Sequence, residues 1–321
     1  MLTISVLVPT YRRPHGLHRC LDAIARQTRP PDDVLVVVRD TDQETRDYLA
    51  DRAPSSLVIR PVGVSTPGLV AALNAGLDAL GTDLVACTDD DARPHPEWLA
   101  RIGWHFESDP RIGAVGGRDW IPGSRLDGER RVVGQLQWWG RIVGNHHLGV
   151  GPPRDVDVLK GVNMSYRRAA LAGRRFDTRL LGAGSTVHNE LGVTFALRRG
   201  GWRVIYDPAV AVDHDQAPRV DEAQRGDFSP RAVHDAVHNE TLALLEHLPA
   251  GRRELFLLWA LTVGTRAAPG LAQWMRFLAK GWPSPTQRLL ASWQGRWCAW
   301  RRWRNHRHSR ERPVPVSAAG K

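Results

Sequence analysis

The sequence predicts an α/β fold, a mostly parallel sheet with helices on both faces, followed by a helical C-terminal extension. Three observations carry this. Short, unbroken apolar runs alternate with helix-like segments over the first 120 residues, and strands buried on both faces read as such runs. A helix pattern and a further strand return after an irregular middle. Beyond residue 250 the charge changes abruptly. Of 321 residues, 42% are hydrophobic, enough for a substantial core, and the net charge is +10. Residues 251–321 hold 14 Lys/Arg against 2 Asp/Glu, whereas the first 250 hold 30 against 32. A near-neutral body of 1–250 is thus joined to a basic extension.

The expected strands are Ile4–Val8, Val34–Val38, Leu57–Arg60, Leu84–Cys87 and Arg203–Tyr206. Between them Leu17, Cys20, Leu21 and Ile24 share one helix face, as do Leu69, Leu73, Leu77 and Leu80. Residues 121–180 are rich in Gly and Trp and read as loops and short strands. A helix from Asn189 to Arg199 stops at Gly200-Gly201, and Ser229-Pro230 supplies the cap and first residue of a helix over 230–248. Cys20, Cys87 and Cys298 are far apart and odd in number, which implies neither a disulfide framework nor a zinc site and suits a reducing compartment. The N-terminal residues read as a first strand, not a signal peptide.

The strongest chemical signal is Leu84-Val-Ala-Cys-Thr-Asp-Asp-Asp91, an apolar strand ending in three carboxylates. Ligands in open α/β sheets sit at the carboxyl ends of strands. Adjacent anions there repel unless a cation is present, and Mg²⁺ or Mn²⁺ commonly bridges such oxygens to phosphates. A solvated loop capping the helix near Pro94–Trp98 is the other reading. Val8-Pro9-Thr10-Tyr11-Arg12-Arg13 offers amides, a hydroxyl and two cations to a nucleotide or phosphate, and equally an ordinary helix start. In Arg39-Asp40-Thr41-Asp42, Asp40 is placed to accept from a base or ribose, while Asp42 serves equally as the N-cap of a helix over 43–52.

Taken together, these strand-end loops resemble the family 2 glycosyltransferases of GT-A fold over about residues 3–215. Pro9-Thr10-Tyr11-Arg12-Arg13 matches the opening motif, Asp40 the base-reading Asp, and Gly68 with Asn74-Ala75-Gly76 the segment before the metal strand. Asp89-Asp90-Asp91 matches the Asp-x-Asp metal motif, with Pro94 and Trp98 after it. Leu159-Lys-Gly161-Val-Asn163-Met164 resembles the acceptor-side glycine segment, and His188-Asn189-Glu190 stands at the usual Glu-Asp pair. Gly201-Trp202-Arg203 through Asp213-His214 closes the pattern. Three positions depart from it: the base-binding loop is one residue shorter, Leu73 stands where an Arg is frequent, and the base carboxylate is a Glu.

The resemblance implies an inverting, metal-dependent transfer from a nucleotide-diphosphate sugar to a hydroxyl. Glu190 is then the general base. Asp89, Asp91 and His214 hold Mn²⁺ or Mg²⁺. Pro9, Thr10, Tyr11, Arg13, Asp40, Asn74, Asp89 and Asp90 face the nucleotide sugar, and Gly161, Asn163 and Met164 the acceptor. A nucleotidyltransferase of similar sheet, or a non-catalytic membrane scaffold, are the competing functions.

The extension supplies the last expectation. Leu255–Gly264 is too short to span a bilayer, which needs about 20 residues. Trp293, Trp297, Trp300 and Trp303 recur on one helix face among arginines. Such a face lies at a membrane interface. The expectation is peripheral attachment of 251–304 to an anionic, cytoplasm-facing membrane, serving a glycan or lipid-linked acceptor of the cell envelope. Tryptophan and arginine also stack on bases, but nothing in the body points to nucleic acid. Residues 305–321, polar and Pro-containing, read as disordered.

Overall fold

The computed structural model describes the chain except residues 52, 123–128, 183, 218–227 and 312–321. The first half runs β1 (Ile4–Thr10), α1 (Pro14–Ala25), β2 (Asp33–Arg39), α2 (Gln43–Asp51), β3 (Ile59–Val64), α3 (Leu69–Asp78), β4 (Leu84–Thr88), β5 (Ala92–Pro94), α4 (Trp98–Ser108) and β6 (Ile112–Trp120). Short pieces follow: β7 (Gln135–Leu136), β8 (Ile142–Val143), a 3-10 turn at His146–Leu148 and β9 (Arg154–Asp155). Then come β10 (Asn163–Arg167), α5 (Arg168–Leu171), α6 (Glu190–Arg199), β11 (Arg203–His214), α7 (Pro230–His247), α8 (Ala250–Thr262), α9 (Leu271–Ala279) and α10 (Pro285–Glu311).

The main sheet has the order β3-β2-β1-β4-β10-β6-β11-β5, with β9 added beside β11. Its longer strands share one direction except β10, which runs antiparallel to both neighbours, β4 and β6. Every residue of β1 is buried, because its alternating side chains enter two different cores. Ile4, Val6 and Val8 meet α1 and α4 on one face, and Leu7 joins Leu35, Val37 and the α3 leucines on the other. The expected strand Leu57–Arg60 lies two residues further on, as β3. At the sheet edge its side chains are alternately part-buried and exposed, so it lacks an unbroken apolar run, and Pro61 is tolerated there. The expected Arg203–Tyr206 extends to His214.

That extension depends on a bulge. Asp207 pairs with Gly117 but Val212 with Asp119, so β11 advances five residues while β6 advances two. A Cβ on Gly117 would stand 1.8 Å from the carbonyl oxygen of Val210. Only glycine lets the bulged strand lie this close. Beyond the bulge, β11 pairs antiparallel with β5, setting His214 opposite Ala92, beside the Asp triplet.

α8 begins at Ala250, just after α7, and α10 returns to pack along α7. A Cβ on Gly295 would stand 2.5 Å from the His234 carbonyl, so the two helices touch backbone to backbone there. Arg296 and Arg302 donate to the carbonyls of Ala268 and Arg179. α10 itself runs through Glu311, carried on from the turns that are already nucleated and packed upstream. Residues 312–321 lie outside the described part. No described helix is long and apolar enough to cross a membrane.

Gly117→Ala is expected to lower the guanidinium unfolding free energy by about 1–3 kcal/mol, the usual cost of overpacking. An unchanged midpoint would show that the bulge relaxes freely.

Candidate active site

The carboxyl ends of β1, β4, β6 and β11 meet around the Asp triplet. Asp89, Asp91 and His214 each offer one ligand atom, and these atoms lie within 4.8 Å of one another. The Nε2 of His214 is 3.4 Å from Asp91 Oδ1, and its Nδ1 is 3.7 Å from Asp119 Oδ2. Asp119, the penultimate residue of β6, is wholly buried and is ion-paired to Lys160. Its Oδ1 has no hydrogen-bond partner. The amide of Ala217 donates to Asp91 Oδ2 at 2.8 Å.

Asp90 turns the other way. It accepts from Thr10 Oγ1 at 2.8 Å and from Arg13 at 3.0 Å. It thereby clamps the ends of β1 and β4 together rather than opening toward a ligand. Arg13 also comes within 3.9 Å of Asp91.

Electrostatics follow from this crowding. Burial and the charge of Asp91 raise Asp89 to about 6, despite the opposing pull of His214. Burial raises Asp90 to about 6 as well, against the favourable charge of Arg13. Burial also opposes ionisation of Asp91, but the hydrogen bond and charge of His214 hold it below the ordinary carboxylate range. Burial disfavours the His214 imidazolium, yet its bonds to Asp119 and Asp91 raise it to about 9. The site thus calls for positive charge. Two carboxylates and an imidazole that is backed by a third carboxylate fit Mn²⁺ or Mg²⁺.

A cleft of about 360 Å³ leads from this cluster. Asp89, His214 and Glu190 line it together with Lys160, Gly161 and Met164. Glu190 opens α6, where the helix dipole favours a negative charge. Its carboxyl is nonetheless pushed above the ordinary range by burial, with His188 and Lys160 pulling the other way. His188 holds φ at 67°, uncommon without glycine and a strain that clusters at functional sites. A Cβ on Gly161 would stand 3.7 Å from Glu190 Oε2, so glycine keeps the space before the carboxylate open.

The remaining expected residues divide. Pro9 is the penultimate residue of β1, and Tyr11 lies under the guanidinium groups of Arg12 and Arg39, at 5.1 and 5.4 Å. Asp40 is exposed and paired with Arg46 at 2.9 Å. Asp42 is the buried cap, accepting from Arg12 N, Thr45 N and Thr45 Oγ1. Asn74 and Asn163 differ from what their motifs imply. Both ends of the Asn74 amide hold the backbone of Phe176. Asn163 is fully buried, accepting from Trp98 Nε1 and donating to the carbonyls of Arg118 and Val210. Each is a strut under the site, since neither leaves an amide group facing the cleft.

A family model described as glycosyl transferase family 2 matches residues 5–173. The chain belongs to this family. The fold is GT-A and the protein is a glycosyltransferase, which sets aside the nucleotidyltransferase and scaffold readings. A Haloferax volcanii glucosyl-dolichyl phosphate glucuronosyltransferase is 26% identical over 224 residues, 66% of this chain and 69% of that protein. A pre-mycofactocin glycosyltransferase of Mycobacterium tuberculosis is 29% identical over 220 residues, and the match spans only 42% of its length. Among solved structures, a Pyrobaculum calidifontis mannosyltransferase in complex with GDP-Man and Mn²⁺ superposes with TM-score 0.58 at 19% identity, over 94% of this chain and 87% of that one. Staphylococcus aureus TarS 1–349 with UDP-GlcNAc gives 0.56 at 16%, over 96% and 92%.

Two charged residues of this glycosyltransferase's site, Asp119 and Lys160, were not among those the sequence singled out. The only signals were a carboxylate at the end of a glycine-rich apolar strand and a lysine directly before Gly161. If Asp119 orients His214 toward a cation, Asp119→Asn weakens Mn²⁺ binding about 10–100-fold, the usual effect of losing such a supporting carboxylate. Calorimetric titration with Mn²⁺ measures this, with Asp91→Ala as the comparison that removes a candidate ligand outright. Equal affinity in Asp119→Asn and wild type would remove Asp119 from the site.

Proposed function

We propose that the enzyme moves a sugar, with inversion, from a nucleotide-diphosphate donor to a hydroxyl of a lipid-linked or cell-envelope glycan. The observation that carries this is the shared cleft, lined both by members of the acidic cluster, Asp89 and His214, and by the buried carboxylate of Glu190. Asp89, Asp91 and His214 are the residues that would hold Mn²⁺ or Mg²⁺, and a bound divalent cation would neutralise charge on the leaving diphosphate. Arg13 and Thr10, by bracing Asp90, keep the triplet in place. Asp40, Tyr11 and Pro9 border the nucleotide's side.

Glu190 takes the proton from the attacking hydroxyl. Its burial excludes competing water, and the raised pKa brings the carboxylate's basicity closer to neutrality, where a general base is most effective. Gly161 and Met164 line the acceptor's approach. The lipid-linked acceptor is supported by the archaeal relative, whose name specifies a glucosyl-dolichyl phosphate substrate. Peripheral attachment of 251–304 to the cytoplasmic face of a membrane belongs to the same reading.

Release of nucleoside diphosphate from a panel of nucleotide sugars, with and without Mn²⁺, tests the donor and the metal together. Glu190→Gln is expected to lower kcat about 10²–10⁴-fold. In wild type, kcat falls as pH drops through the raised Glu190 pKa, because the protonated acid cannot accept a proton. Stability runs the opposite way. A carboxyl with a raised folded pKa holds its proton more tightly in the native state, so ionisation above that value costs stability. Glu190→Gln therefore unfolds at higher denaturant than wild type at mildly alkaline pH, and the gap closes as pH falls. Undiminished turnover of Glu190→Gln on the true acceptor would exclude it as the base.

A further inference from the structure

Nine of the fourteen exposed large hydrophobic side chains among the described residues lie between Leu258 and Trp297. That concentration is unlike a solvated surface, where such residues scatter singly. On α8 the buried positions are Phe256 and Ala260, and Leu258 and Leu261 face outward, Leu258 63% exposed. On α9 only Phe277 is buried, and Leu271, Met275 and Leu278 recur at spacings of four and three on the opposite face. The turn between the two helices is tight: Gly264 takes φ 67°, and Gly270 N donates to Val263 O at 3.2 Å. The tryptophan stripe expected on α10 is partly used elsewhere. Trp303 receives the Arg253 guanidinium at 5.1 Å, Trp300 stacks on Trp297, and Trp297 alone of the four is exposed.

The inner side of α8 rests on the β7–β8 hairpin. Phe256 occupies the space a Gly140 side chain would need, and Arg252 donates to the Trp138 carbonyl at 2.8 Å. In that hairpin Trp138 is 65% exposed, and Ile142 lines the catalytic cleft. The apolar face is therefore carried by the same packed unit as the cleft wall.

We propose that the outer face of α8 and α9, with Trp138, rests on an anionic bilayer surface and holds the mouth of the cleft beside it. Charge complementarity selects this occupant. Arg266, Arg276 and Lys280 are exposed around the apolar face, and the segment 251–321 carries a surplus of 12 positive charges. Each basic residue at an anionic leaflet multiplies binding roughly fivefold. The apolar side chains enter the headgroup boundary while the arginines stay among the phosphates. This surface makes specific the peripheral attachment proposed above, and delivery of a lipid-borne acceptor along it rests on the same proposed function.

Sedimentation of the full chain with phosphatidylcholine vesicles, with and without phosphatidylglycerol, tests the surface in the absence of any nucleotide sugar. Wild type is expected to bind the anionic vesicles, less so as salt is raised. The combined Leu258→Glu, Met275→Glu and Leu278→Glu variant is expected to lose at least tenfold in affinity, and Val58→Glu, at an exposed site elsewhere, to lose none. Met275→Glu alone serves if the combined variant does not fold. Quenching of tryptophan emission by brominated lipid is expected to fall in Trp138→Phe. Wild type left in the supernatant, or a charged variant bound as tightly as wild type, overturns the proposal. So does unchanged quenching in Trp138→Phe. A dimer that the charged variant converts to monomer, without vesicle binding, assigns the face to a second copy instead. Glu190→Gln that loses transfer yet keeps vesicle binding separates this surface from the catalytic reading.

Discussion

Four carboxylates, Asp89, Asp90, Asp91 and Asp119, gather where the strands end, and their mutual repulsion is the constraint the rest of the site answers. Such a group persists out of bulk water only when it is matched by positive charge and hydrogen bonds. Arg13 and Thr10 answer Asp90, Lys160 answers Asp119, and His214 sits between Asp91 and Asp119. These partners come from three separate segments of the chain. The charge balance therefore ties the first strand loop, the glycine segment before β10 and the last strand into one unit. Asp89 lines the cleft, its carboxyl raised by burial and by the charge of Asp91.

The backbone does the placing. β10 runs against its neighbours and pairs Asn163 with Thr88, which brings the Lys160-Gly161 segment to the end of β4. The bulge in β11 absorbs Pro208 and still delivers His214 opposite Ala92. A one-residue slip in that pairing would turn the imidazole to the other face of the sheet. Gly117 matters for this reason as much as for packing.

Much of this was legible in the sequence. Unbroken apolar runs marked the buried strands, and the order of strand-end motifs picked out Asp89, Asp91 and His214, which the fold gathers in one cluster, and Glu190, which lines the same cleft as Asp89 and His214. What a motif does not distinguish is a side chain that faces the ligand from one that supports it. Asn74 and Asn163 belong to recognisable segments, yet their amides are used inside the protein. Asp119 escaped notice because its partners depend on how β6, β10 and β11 align, and alignment between distant strands leaves no local pattern. The edge strand β3 was misplaced because it is only half covered. The α8–α9 face was hidden for a related reason: an amphipathic period is the same whether its apolar side meets a core or is left open.

The amide of Asn239, on α7, receives the Leu181 N–H and donates to the carbonyls of Leu181 and Val187, just ahead of His188 and Glu190. α7 is in turn covered by α10. The final described helix, α10, is thus a splint for the segment that leads into the buried carboxylate, even though it stands apart from that carboxylate in sequence. A protein shortened at residue 250 to improve handling would lose that splint. It would expose α7, loosen the hold of Asn239 on Leu181 and Val187, and present a weakened enzyme whose defect is easily mistaken for a missing substrate.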